Sequence, residues 1–292
     1  MVKLATLAVA VVAVFVVGCG SDQSTSSATR YVALGDSNTS GAGLPTPITG
    51  APEFCYRTES GYPSLAAKRL GQDEFETVAC SGAGMYALVA EMPLVPSGDA
   101  PKQLDALKGN ETIVSLTIGD NDAGFGEVTR QCLEAKSPAE TPCRDKYVTA
   151  GENKLTTAAR KLAKPLGDSL DSIRDKSPRA KVFVVGYAPI IPKDGAGCWG
   201  DVNVSPQDAP VFYGWQQAIR NVEQATAKAH GATFVDLFKA GAGHDACKPA
   251  SERWTNPVNN VGDAGWPLHP TIAGSQAAAD LLVNAWRQAE DQ

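Results

Sequence analysis

The sequence predicts an α/β fold: a three-layer α/β/α sandwich built on a central, mostly parallel five-stranded sheet. Three observations carry this. Five short apolar runs recur along the chain, and stretches with helical spacing of apolar residues separate them. One of the runs, KVFVVGY at 181–187, is almost continuously apolar, as expected of a strand covered on both faces.

The first run, Tyr31 to Leu34, stops abruptly at Gly35-Asp36-Ser37. The Gly, Asp, Ser and Asn that follow are turn and helix-cap residues, so Ser37 falls at the carboxyl end of a strand, where open α/β sheets bind ligands. Ser37 is thus a candidate nucleophile, and equally a candidate N-cap. A Gly/Pro-rich loop, 41–52, should lie over a surface, and Tyr62 to Leu70 have helical spacing. Phe75 to Cys80 make the second strand, broken by Ser81-Gly82-Ala83-Gly84. The segment 82–87 fits G-x-G-x-x-A. The acidic residue that a dinucleotide site wants about 20 positions on would be Asp105, which lies before the next strand rather than at its end. Gly82 better suits a place where a backbone N–H must approach a reacting group without a side chain in the way.

Thr112 to Ile118 form the third strand, followed by Gly119-Asp120-Asn121-Asp122. Asp122 is the expected N-cap of a helix from about Ala123, and the Asn121 amide can turn toward the same edge as Ser37. From Lys146 to Asp175 the spacing is helical, with Pro165 expected to kink or divide the helix. After the strand at 181–187, a loop from Pro189 to Pro206 carrying Trp199 is long enough to shape a cleft. Gln207 to His230 predict a helix, Thr233 to Leu237 the fifth strand, and 271–289 the last helix. The chain has three histidines. His230 ends a helix, His244 sits in a glycine-rich loop where a structural role is expected, and His269 lies in the loop entering the last helix.

The first 18 residues have the shape of a signal peptide, Lys3 followed by an apolar run at 4–17 too short for a comfortable span. Val16-Val17-Gly18-Cys19 resembles the lipobox of bacterial lipoproteins, with an ordinary secretory signal as the alternative. The expected division is a signal at 1–18, a lipidated Cys19 with a polar tether at 19–28, and one domain at 29–292, in an exported protein on the outer side of a cell membrane or secreted. The net charge of -6 and the lack of any Lys/Arg-rich run exclude the footprint of a nucleic-acid binder. Setting Cys19 aside leaves six cysteines, an even set that in an exported chain argues for disulfides. Their positions favour pairing neighbours in order: Cys55 with Cys80, Cys132 with Cys143, and Cys198 with Cys247. No C-x-x-C pair or H-E-x-x-H helix is present, so neither metal nor cofactor is expected.

Taken together, Gly35-Asp36-Ser37, Gly82, Gly119-x-Asn121-Asp122 and His269-Pro270 resemble, in order, the four sequence blocks of the SGNH hydrolases, the GDSL esterase/lipase family. The six cysteines and the sequence C-S-G-A at 80–83 look most like its exported actinobacterial esterases and lipases, which carry three sequentially paired disulfides. The resemblance implies a flavodoxin-like sheet and a monomeric carboxylester hydrolase for ester or lipid substrates. Ser37 would be the nucleophile and His269 its base. The Ser37 and Gly82 backbone N–H groups and the Asn121 side chain would form the oxyanion hole. Two positions depart from the family pattern. Asn38 replaces the usual leucine, and Trp266 stands where the family commonly has an aspartate three residues before its histidine. The Trp266 carbonyl is the expected orienter of His269 in a Ser-His dyad, with Asp263 as the less favoured alternative. An acyltransferase or deacylase acting on a glycolipid or cell-wall acyl group would use the same residues, and a non-catalytic binding lipoprotein could keep the fold. The absence of G-x-S-x-G disfavours an α/β-hydrolase.

Overall fold

The computed structural model describes Met1 and residues 29–291, apart from 73, 95, 97, 197, 260, 262 and 263. The expected signal segment beyond Met1, Cys19, the expected tether up to residue 28, and Asp263 therefore lie outside the described residues. Strand β1 (Arg30–Gly35) runs into the short helix α1 (Ser37–Ser40). Then come α2 (Tyr62–Leu70), β2 (Glu74–Thr77), α3 (Tyr86–Val89), a hairpin of β3 (Met92–Pro93) and β4 (Asp99–Ala100), and β5 (Ile113–Thr117). Helices α4 (Phe125–Cys132) and α5 (Pro142–Tyr147) lead to a second hairpin, β6 (Val148–Thr149) and β7 (Glu152–Asn153). The chain continues through α6 (Lys154–Arg160), α7 (Ala163–Lys176), β8 (Lys181–Val185), α8 (Ala209–Ala229), β9 (Thr233–Val235), α9 (Leu237–Ala240) and α10 (Ile272–Glu290).

The main sheet has the order β2-β1-β5-β8-β9, and every neighbouring pair is parallel. Side-chain alternation along the strands decides the layers. Tyr31 and Ala33 of β1 and Phe183 and Val185 of β8 face α2 and α10, packing on Ala66, Ala279 and Leu282. Val32, Leu34, Val114, Leu116 and Val184 point the other way, into a larger core with Leu166, Leu170 and Ile173 of α7 and Phe212, Trp215 and Ile219 of α8. Each such side chain stabilises the fold by roughly 1.5–3 kcal/mol relative to exposure. The result is the α/β/α sandwich expected from the alternating pattern.

Two local expectations need correcting. The helix expected from Lys146 starts at Lys154, after the β6–β7 hairpin; it is divided, as expected of Pro165, at Lys161 and Leu162, because Pro165 has no N–H to give the Lys161 carbonyl and instead occupies the first turn of α7. Asp122 does not cap α4, which begins after Gly124. Its carboxylate instead accepts the Met85 N–H, 3.1 Å from each oxygen, and any side chain on Gly84 would block that approach. The three disulfides pair as expected, Cys55–Cys80, Cys132–Cys143 and Cys198–Cys247.

Candidate active site

Parallel register gathers the site at one edge of the sheet. Gly35 lies opposite Thr117, and the Cys80 N–H continues the ladder beyond β2 by donating to the Gly35 carbonyl at 3.0 Å. The chain therefore leaves β1, the β2 extension and β5 side by side, and Ser37, Gly82 and Asn121 follow immediately. Gly35 itself has no room for a side chain: a Cβ there would come 2.3 Å from Thr39 Oγ1 and 2.4 Å from the Thr117 carbonyl. The buried Gln103 side chain holds the Gly35 peptide from both ends, accepting its N–H at 2.7 Å and donating to its carbonyl at 2.9 Å.

Ser37 is the first residue of α1, so the cap is Asp36, whose carboxylate accepts the Asn38 N–H at 2.9 Å. This frees the serine hydroxyl. Ser37 Oγ lies 2.8 Å from His269 Nε2. The other ring nitrogen, Nδ1, lies 2.8 Å from the Pro267 carbonyl. A carbonyl can only accept, so Nδ1 carries the proton and Nε2 presents its lone pair to the serine O–H.

The carbonyl facing Nδ1 belongs to Pro267 and not, as the sequence suggested, to Trp266. The reason is a turn. The Trp266 carbonyl is occupied by the His269 backbone N–H at 3.1 Å, closing a four-residue turn with Pro267 and Leu268 at its centre. Leu268 sits at φ 61°, the left-handed value that a type II turn requires at its third position. Backbone bonds to Asn256 on either side, from Leu268 N–H and to the His269 carbonyl, clamp this conformation. Gly43 backs the same loop: its carbonyl accepts the Gly265 N–H, and a Cβ there would strike the Trp266 ring.

The His269 ring stands edge-on between Phe125 and Trp266, with centroids 6.0 and 5.7 Å away. This enclosure lowers its pKa below the usual 6.5, outweighing the opposite effect of the Pro267 hydrogen bond. Burial has the reverse effect on Asp36, pushing its carboxyl up to about 7 even though Tyr187 O–H and Asn38 N–H favour the anion.

Gly82 adopts φ 80°, left-handed and accessible to glycine, in a turn closed by Ala83 N–H on the Cys80 carbonyl. Its neighbour Ala83 accepts one N–H of the Asn121 amide at 2.9 Å. The amides of Ser37 and Gly82 donate to no acceptor among the described residues. His230 and His244 are elsewhere: His230 pairs with Asp171 at 2.8 Å, and His244 stacks on Trp254 with its Nδ1 on the Glu252 carbonyl. Among the described residues no cluster of His, Cys, Asp or Glu is arranged to hold a metal ion. Gln103, Tyr187, Phe125 and the Pro267 carbonyl all bear on the site and escaped sequence reasoning. Gln103, Tyr187 and Phe125 sit in no block with a recognisable spacing, and Pro267 lies inside the histidine block but acts through its backbone.

Two cavities, of about 700 and 420 Å³, do not include Ser37 in their lining. They lie beside α2 and the 43–59 loop. The smaller one is lined by Leu44, Pro47, Ile48 and Tyr56, and Tyr56 packs on Trp266 with ring centroids 4.6 Å apart, so it adjoins the histidine side of the site.

The sequence profile of the GDSL-like Lipase/Acylhydrolase family matches residues 33–277. Lipase 1 of Streptomyces coelicolor is 32% identical over 257 residues, covering 87% of this chain and 85% of the relative. Lipase 2 of the same organism is 30% identical over 260 residues, covering 87% and 84%. The crystal structure of phospholipase A1 from Streptomyces albidoflavus superposes with a TM-score of 0.69 at 30% identity, over 89% of this chain and 99% of that one. An extracellular lipase from Streptomyces rimosus gives 0.71, also at 30% identity, over 88% and 99%. With a serine turn, glycine turn, asparagine loop and histidine loop on such a sheet, the chain belongs to the GDSL-like lipase/acylhydrolase family, the SGNH hydrolases, and is an ester hydrolase.

Proposed function

We propose that the chain is an exported serine carboxylester hydrolase working through an acyl-serine intermediate on a Ser37–His269 dyad. The observation that carries this is the pair of 2.8 Å contacts of the His269 ring, Nε2 to Ser37 Oγ and Nδ1 to the Pro267 carbonyl. Ser37 Oγ attacks the ester carbonyl carbon while Nε2 takes its proton. The tetrahedral oxyanion is met by the Ser37 and Gly82 N–H groups and the Asn121 amide. His269 returns the proton to the departing alcohol, leaving the acyl group on Ser37, and a water activated by the same Nε2 hydrolyses it. The Pro267 carbonyl fixes the tautomer and stabilises the imidazolium by a neutral dipole in place of a carboxylate.

A lipid or other apolar ester suits the rim. Tyr86 and Val89 protrude from α3, just beyond Gly82, and are 50% and 58% exposed, while Tyr56 stands against Trp266 on the other side. Three disulfides, together with the apolar segment at 4–17, support export, and Cys19 is the residue that would carry a lipid anchor. The test is hydrolysis of esters of graded acyl length, with labelling by a fluorophosphonate. Ser37→Ala should abolish labelling and lower turnover by at least ~1000-fold. Asp263→Asn should retain most activity, and a loss of several orders of magnitude would replace the dyad by a triad.

A further inference from the structure

The bond between the ends of β1 and β5 runs from Asp36 N–H to the Thr117 carbonyl, one residue before Ser37. From there the nucleophile turn and the Asn121 loop leave the sheet separately, yet the oxyanion must be met by donors from both at once. One side chain lies between them. Tyr187, buried just beyond β8, donates its O–H to Asp36 Oδ2 at 2.5 Å and accepts the Asp120 N–H at 3.1 Å. The other Asp36 oxygen caps α1 through Asn38 N–H, so the carboxylate is held at both oxygens and Ser37 is the first helical residue after the cap. Asp120 in turn precedes Asn121, whose amide is fastened to Ala83, the neighbour of Gly82. A continuous run of hydrogen bonds therefore joins all three segments that supply oxyanion donors, and the Tyr187 hydroxyl is its middle link.

We infer that Tyr187 is a positioning residue of the reaction: its hydroxyl fixes the distance between the Ser37 turn and the Asn121 loop, and so the shape of the oxyanion hole. The inference rests on the hydrolase reading above. A phenol suits the task because it donates and accepts from one atom at a fixed reach. Its proton also stays in place. Burial, and then the facing carboxyls of Asp36, Asp120 and Glu223, raise its pKa well above 10, so it remains a donor throughout the working range. Replacing the hydroxyl by hydrogen leaves the Asp120 N–H without its acceptor and one Asp36 oxygen without its donor. It takes nothing from the substrate.

The experiment is a double-mutant cycle of Tyr187→Phe with Asn121→Ala, reading kcat, KM and thermal stability on a soluble short-chain ester. Displacement of a donor loop by a fraction of an ångström up to ~1 Å costs up to ~100-fold in rate. The expected result for Tyr187→Phe is thus a roughly 10- to 100-fold fall in kcat with KM changed less than about threefold. Because Tyr187 acts through the asparagine loop, the double variant should be little slower than Asn121→Ala alone. A kcat within about twofold of the parent, or losses that multiply in full, would overturn the inference. If Tyr187→Phe does not fold, Asp36→Asn reads the same bond from its other end. With its amide oxygen on Asn38 N–H, it turns a donor toward the tyrosine, and an unchanged kcat there would equally overturn the idea. Parent enzyme with no ester turnover sensitive to Ser37→Ala would sink the hydrolase reading itself and Tyr187's role with it, an outcome distinct from an active parent indifferent to Tyr187→Phe.

Discussion

In the proposed mechanism His269 must be neutral to accept the serine proton, and its enclosure by Phe125 and Trp266 pushes its pKa below 6.5. The sign follows directly: turnover is lost as pH falls through that lowered value, so the acid limb of kcat/KM should lie below pH 6.5. Opening the ring to water by Phe125→Ala should move the limb up toward 6.5. A limb at or above 6.5 in the parent would contradict the depressed value. Ser37, Asn121 and His269 were legible in the sequence because each stands at a strand end or helix entrance, with a distinctive residue type in a distinctive block. The Pro267 carbonyl was not. Every residue has a carbonyl, and which one faces the imidazole depends on Leu268 taking a left-handed conformation rare for a branched side chain. Residue type carries no sign of that choice.

At the scale of elements, the Cys55–Cys80 disulfide braces the Gly82 turn, the proposed source of one oxyanion donor. Cys80 is the last ladder residue of the β2 extension, Ser81 N–H donates to the Cys55 carbonyl at 3.2 Å, and Gly82 comes next. Replacing both cysteines by serine should lower unfolding stability by about 2–4 kcal/mol. It should also lower kcat at temperatures where the protein is still folded. Chemical denaturation beside an esterase assay separates the two effects, and full activity in the folded variant would deny the brace its part in the site. The bounds expected for α2 and α10 hold, and local chemistry explains both ends. Gly71 terminates α2 in a left-handed conformation, and the Thr271 hydroxyl caps α10 by accepting Gly274 N–H. Asp122 was misread because its partner is Met85, distant in sequence, and only the assembled fold brings the two together.

Across the whole molecule, the alternation of strands and helices was sufficient to foresee the layers, but not the acidic interior they enclose. Glu223 of α8 is 1% exposed, and neither carboxyl oxygen has a hydrogen-bond partner among the described residues. Burial, and then the neighbouring Asp120 and Asp36, raise its pKa well above 4.5. The folded protein therefore keeps a proton that the unfolded chain releases above that value. With more protons bound in the folded state, stability falls as pH rises, by up to ~1.4 kcal/mol per pH unit from this group until the folded value is reached. Glu223→Gln, uncharged at every pH, should flatten the decline in thermal stability between pH 5 and 8 and be the more stable protein at the upper end. Parallel pH profiles for parent and variant would show that Glu223 is not the source. In the sequence this residue looked like any other on the polar side of a helix.

Strand β1 also fixes a direction. It enters the sheet at Arg30 on one edge and delivers Ser37 at the other, about 20 Å away at the usual rise of a strand. The residues before Arg30 therefore join the domain on the side opposite the nucleophile. A support or tag attached ahead of Arg30 therefore meets the domain at the end of β1 remote from Ser37, and leaves the serine's end of the sheet clear.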